Sequence, residues 1–364
     1  MSIHKVARKS GTSYQVKLRT PEGKQYSRTF RTRKEAQQFQ VSEIAAMSRG
    51  TWLNEQVCNI TFQELAERWL KSNEAKRQTS RQRDVGILKK HLLPELGAQK
   101  IRTIKRADII SLVNTWISHE LSASTIRRHM AVLSAIFNMA IADELLHKSP
   151  THRVAMPRIE PSCGRALSRY EAQNLLGRIP ESYFAFVYIM LTTGIRWSEA
   201  VGLQVKHFCP LASPPVLIIE QGLHEVENGY VLERPKSAAS HRSIVLSSSH
   251  VEVIAKYLKD TNRTASDAES PLFQSPKGGV LVASNFRNRI WIPATKAAGL
   301  DGLRIKDMRK TAATNLLQGG LDSKTVTAVL GHEDIRTTLN HYAKTTQESL
   351  LHAAKVLVEG LDLL

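Results

Sequence analysis

In LGHEDIRTTLNHYAK, residues 330–344, a Gly-His pair stands ten residues before Tyr342. A side-chain hydroxyl of this kind can attack an electrophilic centre and hold it covalently. Arginine, lysine and histidine elsewhere in the chain are the types that would grip the anion under attack. Each candidate also has a structural reading. Tyr342 is a nucleophile or a helix-packing aromatic, and His332 is a hydrogen-bond donor or a helix cap. Arg196, in LTTGIRWSEAVGL, follows a helix break at Gly194 and opens the next helix. A cation there opposes the helix dipole unless an anion faces it; the alternative is a pair with Glu199 at i,i+3. Lys236, in LERPKSAASHRSIVL, reads as the tip of a β-hairpin, reaching into a cleft or simply exposed. Lys306 and Arg309, in GLRIKDMRKTAATNLL, share a helix face at i,i+3.

Metal-dependent chemistry has no matching signal. There is no GxxxxGK[ST] loop, no HExxH and no cysteine cluster, and no carboxylate group of the two-metal kind is evident. No cofactor and no metal are expected.

The elements that must carry these residues fall into three stretches. From residue 165 onward the pattern is mixed: ALSRYEAQNLL and ESYFAFVYIMLTTG are helical, VLIIEQG, GYVLERP and HRSIVLS are strand-like, and the chain after about 284 is mostly helical. Residues 60–150 show helical periodicity in four segments, with caps expected at or near Thr61, Ser80 and Ser124. Their basic residues, Arg81, Arg83, Arg127 and Arg128, gather at helix starts, where free N–H groups also favour phosphate. LHKSPTHRVAMPRIEPSCG, with three prolines, reads as a linker. Near the N-terminus, SYQVKLRT and QYSRTF alternate around a PEGK turn, SIHKVAR supplies a third strand, and Thr32 with Glu35 forms a capping box for a helix. Lys17, Arg19, Lys24 and Arg28 are expected on the exposed strand face. The fold class is therefore multidomain, mainly α with small β: a three-stranded sheet plus helix over 1–55, a four-helix bundle over 60–155 and a mixed α/β domain over 165–364.

Composition narrows the partners. The chain has 364 residues, with 51 Lys and Arg against 33 Asp and Glu, a net charge of +18. Such an excess points to a polyanion, and nucleic acid is the common one. Residues 1–50 alone hold eleven Lys or Arg and three Glu, so the N-terminal module reads as a phosphate-contacting surface of its own. No stretch approaches the roughly 18 apolar residues of a membrane span, and the N-terminus lacks the apolar core of a secretory signal. Cys58, Cys163 and Cys209 have no disulfide or metal spacing, which suits a reducing cytoplasm.

Taken in order, TGIRWSEAVGL, the Lys236 segment, R-I-K-D-M-R-K, LGH at 330–332 and TTLNHYAK resemble the motifs of the tyrosine recombinases, specifically the phage-type, lambda-like integrases. The likeness covers nearly the whole chain, and the motifs are specific jointly rather than singly. It implies an arm-type DNA-binding domain over 1–55, a core-binding domain over 60–155 and a catalytic domain over 165–364. It also implies a catalytic set of Arg196, Lys236, Lys306, Arg309, His332 and Tyr342. In that set Arg196 and Arg309 clamp the non-bridging phosphate oxygens, and His332 adds a donor. Lys236 protonates the leaving 5′ oxygen, and Tyr342 becomes joined to the 3′ phosphate. Lys306 departs from the family's usual His-x-x-Arg box. A lysine keeps its charge at neutral pH, which favours a phosphate contact; neighbouring cations that promote a neutral amine leave an acid–base role open.

The activity so implied is site-specific integration or excision of a phage or other mobile element in a bacterial or phage context. Its partners are double-stranded attachment DNA with core and arm sites, a homo-tetramer, and possible additions in a host DNA-bending protein and an excisionase. The Leu-rich LLHAAKVLVEGLDLL suits docking onto a neighbouring protomer or packing on its own domain. Two other readings stay open: a type IB topoisomerase-like enzyme, and a catalytically decayed DNA-binding regulator with Lys306 as its mark.

Overall fold

The computed structural model describes residues 2–8, 11–19, 23, 25–49, 59–159, 164–227, 229–234 and 240–331. The chain divides into two compact units, Met1–Glu160 and Pro161–Leu364, and among the described residues it is mostly helical with small sheets.

In the first unit, β1 (Ser2–Arg8), β2 (Gly11–Arg19) and β3 (Gln25–Phe30) form an antiparallel meander. Alternation along β2 sends Tyr14, Val16 and Leu18 to one face. There, with Tyr26 and Phe30, they pack on Ala36, Phe39 and Met47 of α1 (Arg33–Ser48). Thr32 and Glu35 cap this helix reciprocally. The register separates the basic strand residues. Lys17 stands opposite Ser27, whereas Arg28 stands opposite the buried Val16, and cross-strand partners share a face. Lys17 and Arg19 therefore project from the face away from α1. Arg28 instead lies on the helix side, its guanidinium 5.2 Å from the centre of the Phe39 ring and 5.7 Å from that of Phe30. The expectation of one shared exposed face fails for Arg28, because the β2–β3 register gives it the opposite parity. Lys24 lies outside the described residues.

A separate core in the same unit is built from α2 (Phe62–Ser72), α3 (Gln78–Ile87), the short α4 (Leu93–Leu96), α5 (Arg106–Ser118) and α6 (Ala123–Ala142), with a π-helical turn over Leu88–Leu92. Phe62, Leu65, Ile109, Leu133, Ile136 and Phe137 are fully buried. Thr61 caps α2 with Glu64 as expected. Ser80, however, sits inside α3, which begins after Arg77 without a side-chain cap. Ser122, rather than Ser124, caps α6. His129 is buried on α6, stacked 4.3 Å from His91 and edge-on to Trp116 at 5.0 Å.

The second unit opens with α7 (Arg169–Leu176), α8 (Glu181–Thr193) and α9 (Trp197–Gly202). Helix α8 is apolar nearly all round and correspondingly buried. Strands β4 (Phe208–Cys209), β5 (Val216–Ile219), β6 (Gly222–Val226), β7 (Gly229–Glu233) and β8 (Arg242–Val245) follow. They form two antiparallel groups, a β4-β5-β8 sheet and a β6-β7 hairpin. Among the described residues β7 pairs with β6 and not with β8, the two strands between which the hairpin reading set Lys236. The separate strand β6 takes the place that reading gave to β8; Lys236 itself is outside the described residues. The unit continues with α10 (Ser248–Asp260), α11 (Ala283–Phe286), α12 (Ile292–Ala297), α13 (Asp307–Gln318) and α14 (Ser323–Leu330). Its core centres on α8, with Phe186, Ile189, Leu217, Phe273, Trp291 and Met308.

Candidate active site

Helix α8 ends at Gly194, whose φ of +67° places it in the left-handed region that glycine enters without strain. A Cβ at this point would stand 2.7 Å from Leu330 Cδ2 and 3.0 Å from the Ala312 Cβ. Only glycine lets the α8 end approach α13 and α14 so closely. The chain then re-enters a helix at once, with Arg196 as the N-cap of α9. Glu199, one turn on, accepts from the Arg196 amide at 2.9 Å and from Arg196 Nη1 at 2.6 Å. The i,i+3 pair that the spacing offered as the structural alternative is present. It does not use up the guanidinium, because Nη2 donates to the Gly331 carbonyl at 2.8 Å.

Two more arginines converge on the same helix end. Arg309, in the first turn of α13, donates from Nη1 to Gly194 O at 2.9 Å and from Nη2 to Leu330 O at 2.7 Å. Arg242, the first residue of β8, donates from Nε to Val329 O at 2.7 Å and from Nη2 to Glu199 Oε2 at 2.9 Å. The last carbonyls of a helix have no intrahelical donors and carry the negative end of its dipole. Here three successive carbonyls, at 329, 330 and 331, each take a guanidinium. Helix α14 then closes on Gly331 at φ +66°.

The electrostatics follow from burial. Glu199 is only 5% exposed. Burial alone pushes its carboxyl pKa up, but the Arg242 hydrogen bond and charge, with the Arg196 amide and charge, outweigh this and hold it at about 2. Three guanidiniums and one carboxylate leave the cluster with a surplus of positive charge. Arginines so fixed suit the non-bridging oxygens of a phosphate, which accept from a planar fork.

Of the six expected catalytic residues, Arg196 and Arg309 meet through the end of α14. Lys306 stands just before α13 and is exposed. Lys236, His332 and Tyr342 lie outside the described residues, as does the C-terminal LLHAAKVLVEGLDLL. The expected DNA-contacting arginines are more scattered. Arg81 and Arg83 are exposed on α3, and Arg128 on α6. Arg127 is exposed too, but its Nε donates to Pro157 O at 3.2 Å and so tethers the segment leaving the helices. Residues 127 and 128 lie in the second turn of α6, beyond its free N–H groups.

Two residues of the cluster went unrecognised as such from sequence: Glu199, read only as a partner for Arg196, and Arg242. A signal for Arg242 exists. In RSIV it shares the parity, and so the sheet face, of the buried Ile244, and it pairs across the sheet with the buried Ile219. A charged residue at a core-facing strand position needs a buried partner.

Among the described residues no group of three His, Cys, Asp or Glu could hold a metal ion, and no helix is long and apolar enough to cross a membrane. Sequence models of the phage integrase family and of the phage integrase central domain match residues 167–349 and 62–156. The integrase of Mycobacterium phage L5 is 27% identical over 286 residues, 78% of this chain and 75% of that protein. The structure of the Tn1549 transposon integrase with a circular intermediate DNA superposes with a TM-score of 0.69 at 22% identity, covering 82% of this chain and 99% of that one. The lambda integrase tetramer bound to a Holliday junction gives a TM-score of 0.60 at 15% identity, over 94% and 97% of the two chains.

Proposed function

The chain belongs to the phage integrase family and is a tyrosine site-specific recombinase, and we propose that it integrates or excises a mobile DNA element through a 3′-phosphotyrosyl intermediate built on the α14 cluster. The observation that carries this reading is the pair of guanidiniums, Arg196 and Arg309, held side by side on the carbonyls of Gly331 and Leu330. Both are fixed before any substrate arrives, so little reorganisation is needed when negative charge builds on a phosphate.

In the proposed reaction Arg196, Arg309 and His332 donate to the non-bridging oxygens, and Lys306 adds a charged contact. The Tyr342 oxygen attacks phosphorus and loses its proton to water. The bond from phosphorus to the 5′ oxygen breaks, and Lys236 supplies the proton that this oxygen takes. The new phosphotyrosyl ester conserves the energy of the broken link, so a 5′ hydroxyl from another strand reverses the step and reseals the DNA without ATP. All six positions fall within the residues matched by the phage integrase family.

We assign residues 1–55 to arm-site binding, 60–155 to the core site and 165–364 to catalysis. The matched central domain, 62–156, supports the second assignment. The known lambda integrase tetramer on a Holliday junction supports a tetrameric assembly on paired core sites. A host bending protein and an excisionase remain additional partners of the proposal.

A suicide substrate tests it. Nicked DNA carrying the element's own attachment core is incubated with the protein and resolved on a denaturing gel. A covalent adduct from wild type that Tyr342→Phe does not form is the expected result. Tight core binding with no adduct overturns the proposal and identifies a regulator that has lost its chemistry.

A further inference from the structure

We propose that Arg242 is a positioning residue for strand cleavage: its buried charge satisfies the Glu199 carboxylate and so leaves the charge of Arg196 available to the scissile phosphate. The inference rests on the reading of Arg196 as a phosphate clamp. It adds a residue whose hydrogen bonds run to Glu199, Val329 and Ser240.

The two arginines on Glu199 are not equivalent. The Arg196 side chain is 38% exposed, while those of Arg242 and Glu199 are each 7% exposed. Arg196 can meet an incoming polyanion, and Arg242 cannot. A carboxylate buried to this degree requires a counter-charge. With a single cation nearby, the exposed Arg196 would have to supply it, and its field at a phosphate would be largely cancelled by the acid 2.6 Å away. The second guanidinium removes that conflict. Arg242 donates to Oε2 at 2.9 Å, while Arg196 Nη1 holds Oε1. The carboxylate then orients Arg196 without neutralising it.

Arg242 also fixes the helix end on which the clamps are mounted. Its Nε donates to Val329 O at 2.7 Å and its Nη1 to Ser240 O at 3.3 Å, so one planar fork joins β8, α9 and α14. A lysine keeps the charge but has no fork with which to hold all three directions.

Charge compensation makes a prediction that simple scaffolding does not. Arg242→Met should slow adduct formation about 10- to 100-fold, less than the roughly 100- to 1000-fold expected from losing a direct oxyanion donor such as Arg196. Core-site affinity in the same variant should change by no more than about threefold, as for a residue remote from the DNA. The double variant Arg242→Met/Glu199→Gln should then be faster than Arg242→Met, because Arg196 no longer has a carboxylate to neutralise. If the double variant is as slow as the single or slower, Arg242 only braces the fold and the proposal fails. Thermal melting accompanies each measurement. Should Arg242→Met not fold, Arg242→Lys takes its place. With the charge kept, it should cleave faster than an equally folded Arg242→Gln, and equal rates overturn the proposal. Wild type and Tyr342→Phe run alongside. Absence of an adduct from wild type sinks the assigned chemistry, whereas a wild-type adduct with an undiminished Arg242→Met rate sinks only the role of Arg242.

Discussion

A carboxylate shared by two guanidiniums makes Glu199 as important to folding as to the chemistry beside it. Its pKa of about 2 lies below the ordinary glutamate value of 4.5. The unfolded chain therefore binds a proton on acidification that the folded chain refuses. Stability from this group is fully present above about pH 4.5 and is lost as pH falls toward 2, amounting to roughly 3 kcal/mol across the window. Glu199→Ala should cost about 3–5 kcal/mol at neutral pH, because it strands a buried guanidinium, and should flatten the dependence of the melting temperature between pH 4.5 and 2. An unchanged acid slope would assign that stability elsewhere. His129 acts in a milder range. Burial, followed by the charges of His91 and Arg128, lowers its pKa from 6.5 to about 4. Stability should therefore fall as pH drops from 6.5 to 4, by up to roughly 3 kcal/mol, and His129→Phe should abolish that step in a melting series. Residue types and spacing were enough to nominate Arg196 and Arg309. They could not reveal that both hold the carbonyls of residues 330 and 331, since more than 130 residues separate Arg196 from Gly331.

At the scale of elements, two backbone features decide where side chains go. Gly194 is a hinge point between α8 and α9 with no room for a Cβ. Gly194→Ala should destabilise the second unit by about 1–3 kcal/mol through overpacking, with a further roughly 1–2 kcal/mol for the left-handed backbone. It should also slow cleavage, because the Gly194 carbonyl anchors Arg309. Calorimetry and the adduct assay read the two effects, and an active, equally stable variant would refute them. The register of the N-terminal sheet makes a finer distinction. If β2 contacts arm-site phosphates, Lys17→Ala and Arg19→Ala should each lower the slope of log affinity against log salt by about 1. Arg28→Ala should leave the slope alone and lower stability instead, having lost its place over Phe39. Alternation in the sequence located these strands. The parity of Arg28 is not legible in the sequence because alternation does not fix the register between strands, and two adjacent strand patterns do not say which strands pair. Strand β6 was the hidden partner.

For the whole molecule, an excess of +18 with eleven basic residues among the first fifty describes a protein whose affinity for DNA depends steeply on ionic strength. If the arm and core contacts are separate as proposed, removing residues 1–58 should abolish arm-site binding while adduct formation on an isolated core site persists within about tenfold. Equal loss of both in gel-shift and cleavage assays would show that the N-terminal module serves the core. Helix α14 has one more consequence at this scale. Its terminal carbonyls are held by the same guanidiniums that we propose for the phosphate, and the sequence leaves the helix there, with Tyr342 eleven residues beyond Gly331. Phosphate occupancy and the hold on that exit are therefore linked free energies, and linkage is reciprocal. Whatever factor DNA contributes to securing the exit, an agent that secures the exit first returns as the same factor in affinity for DNA.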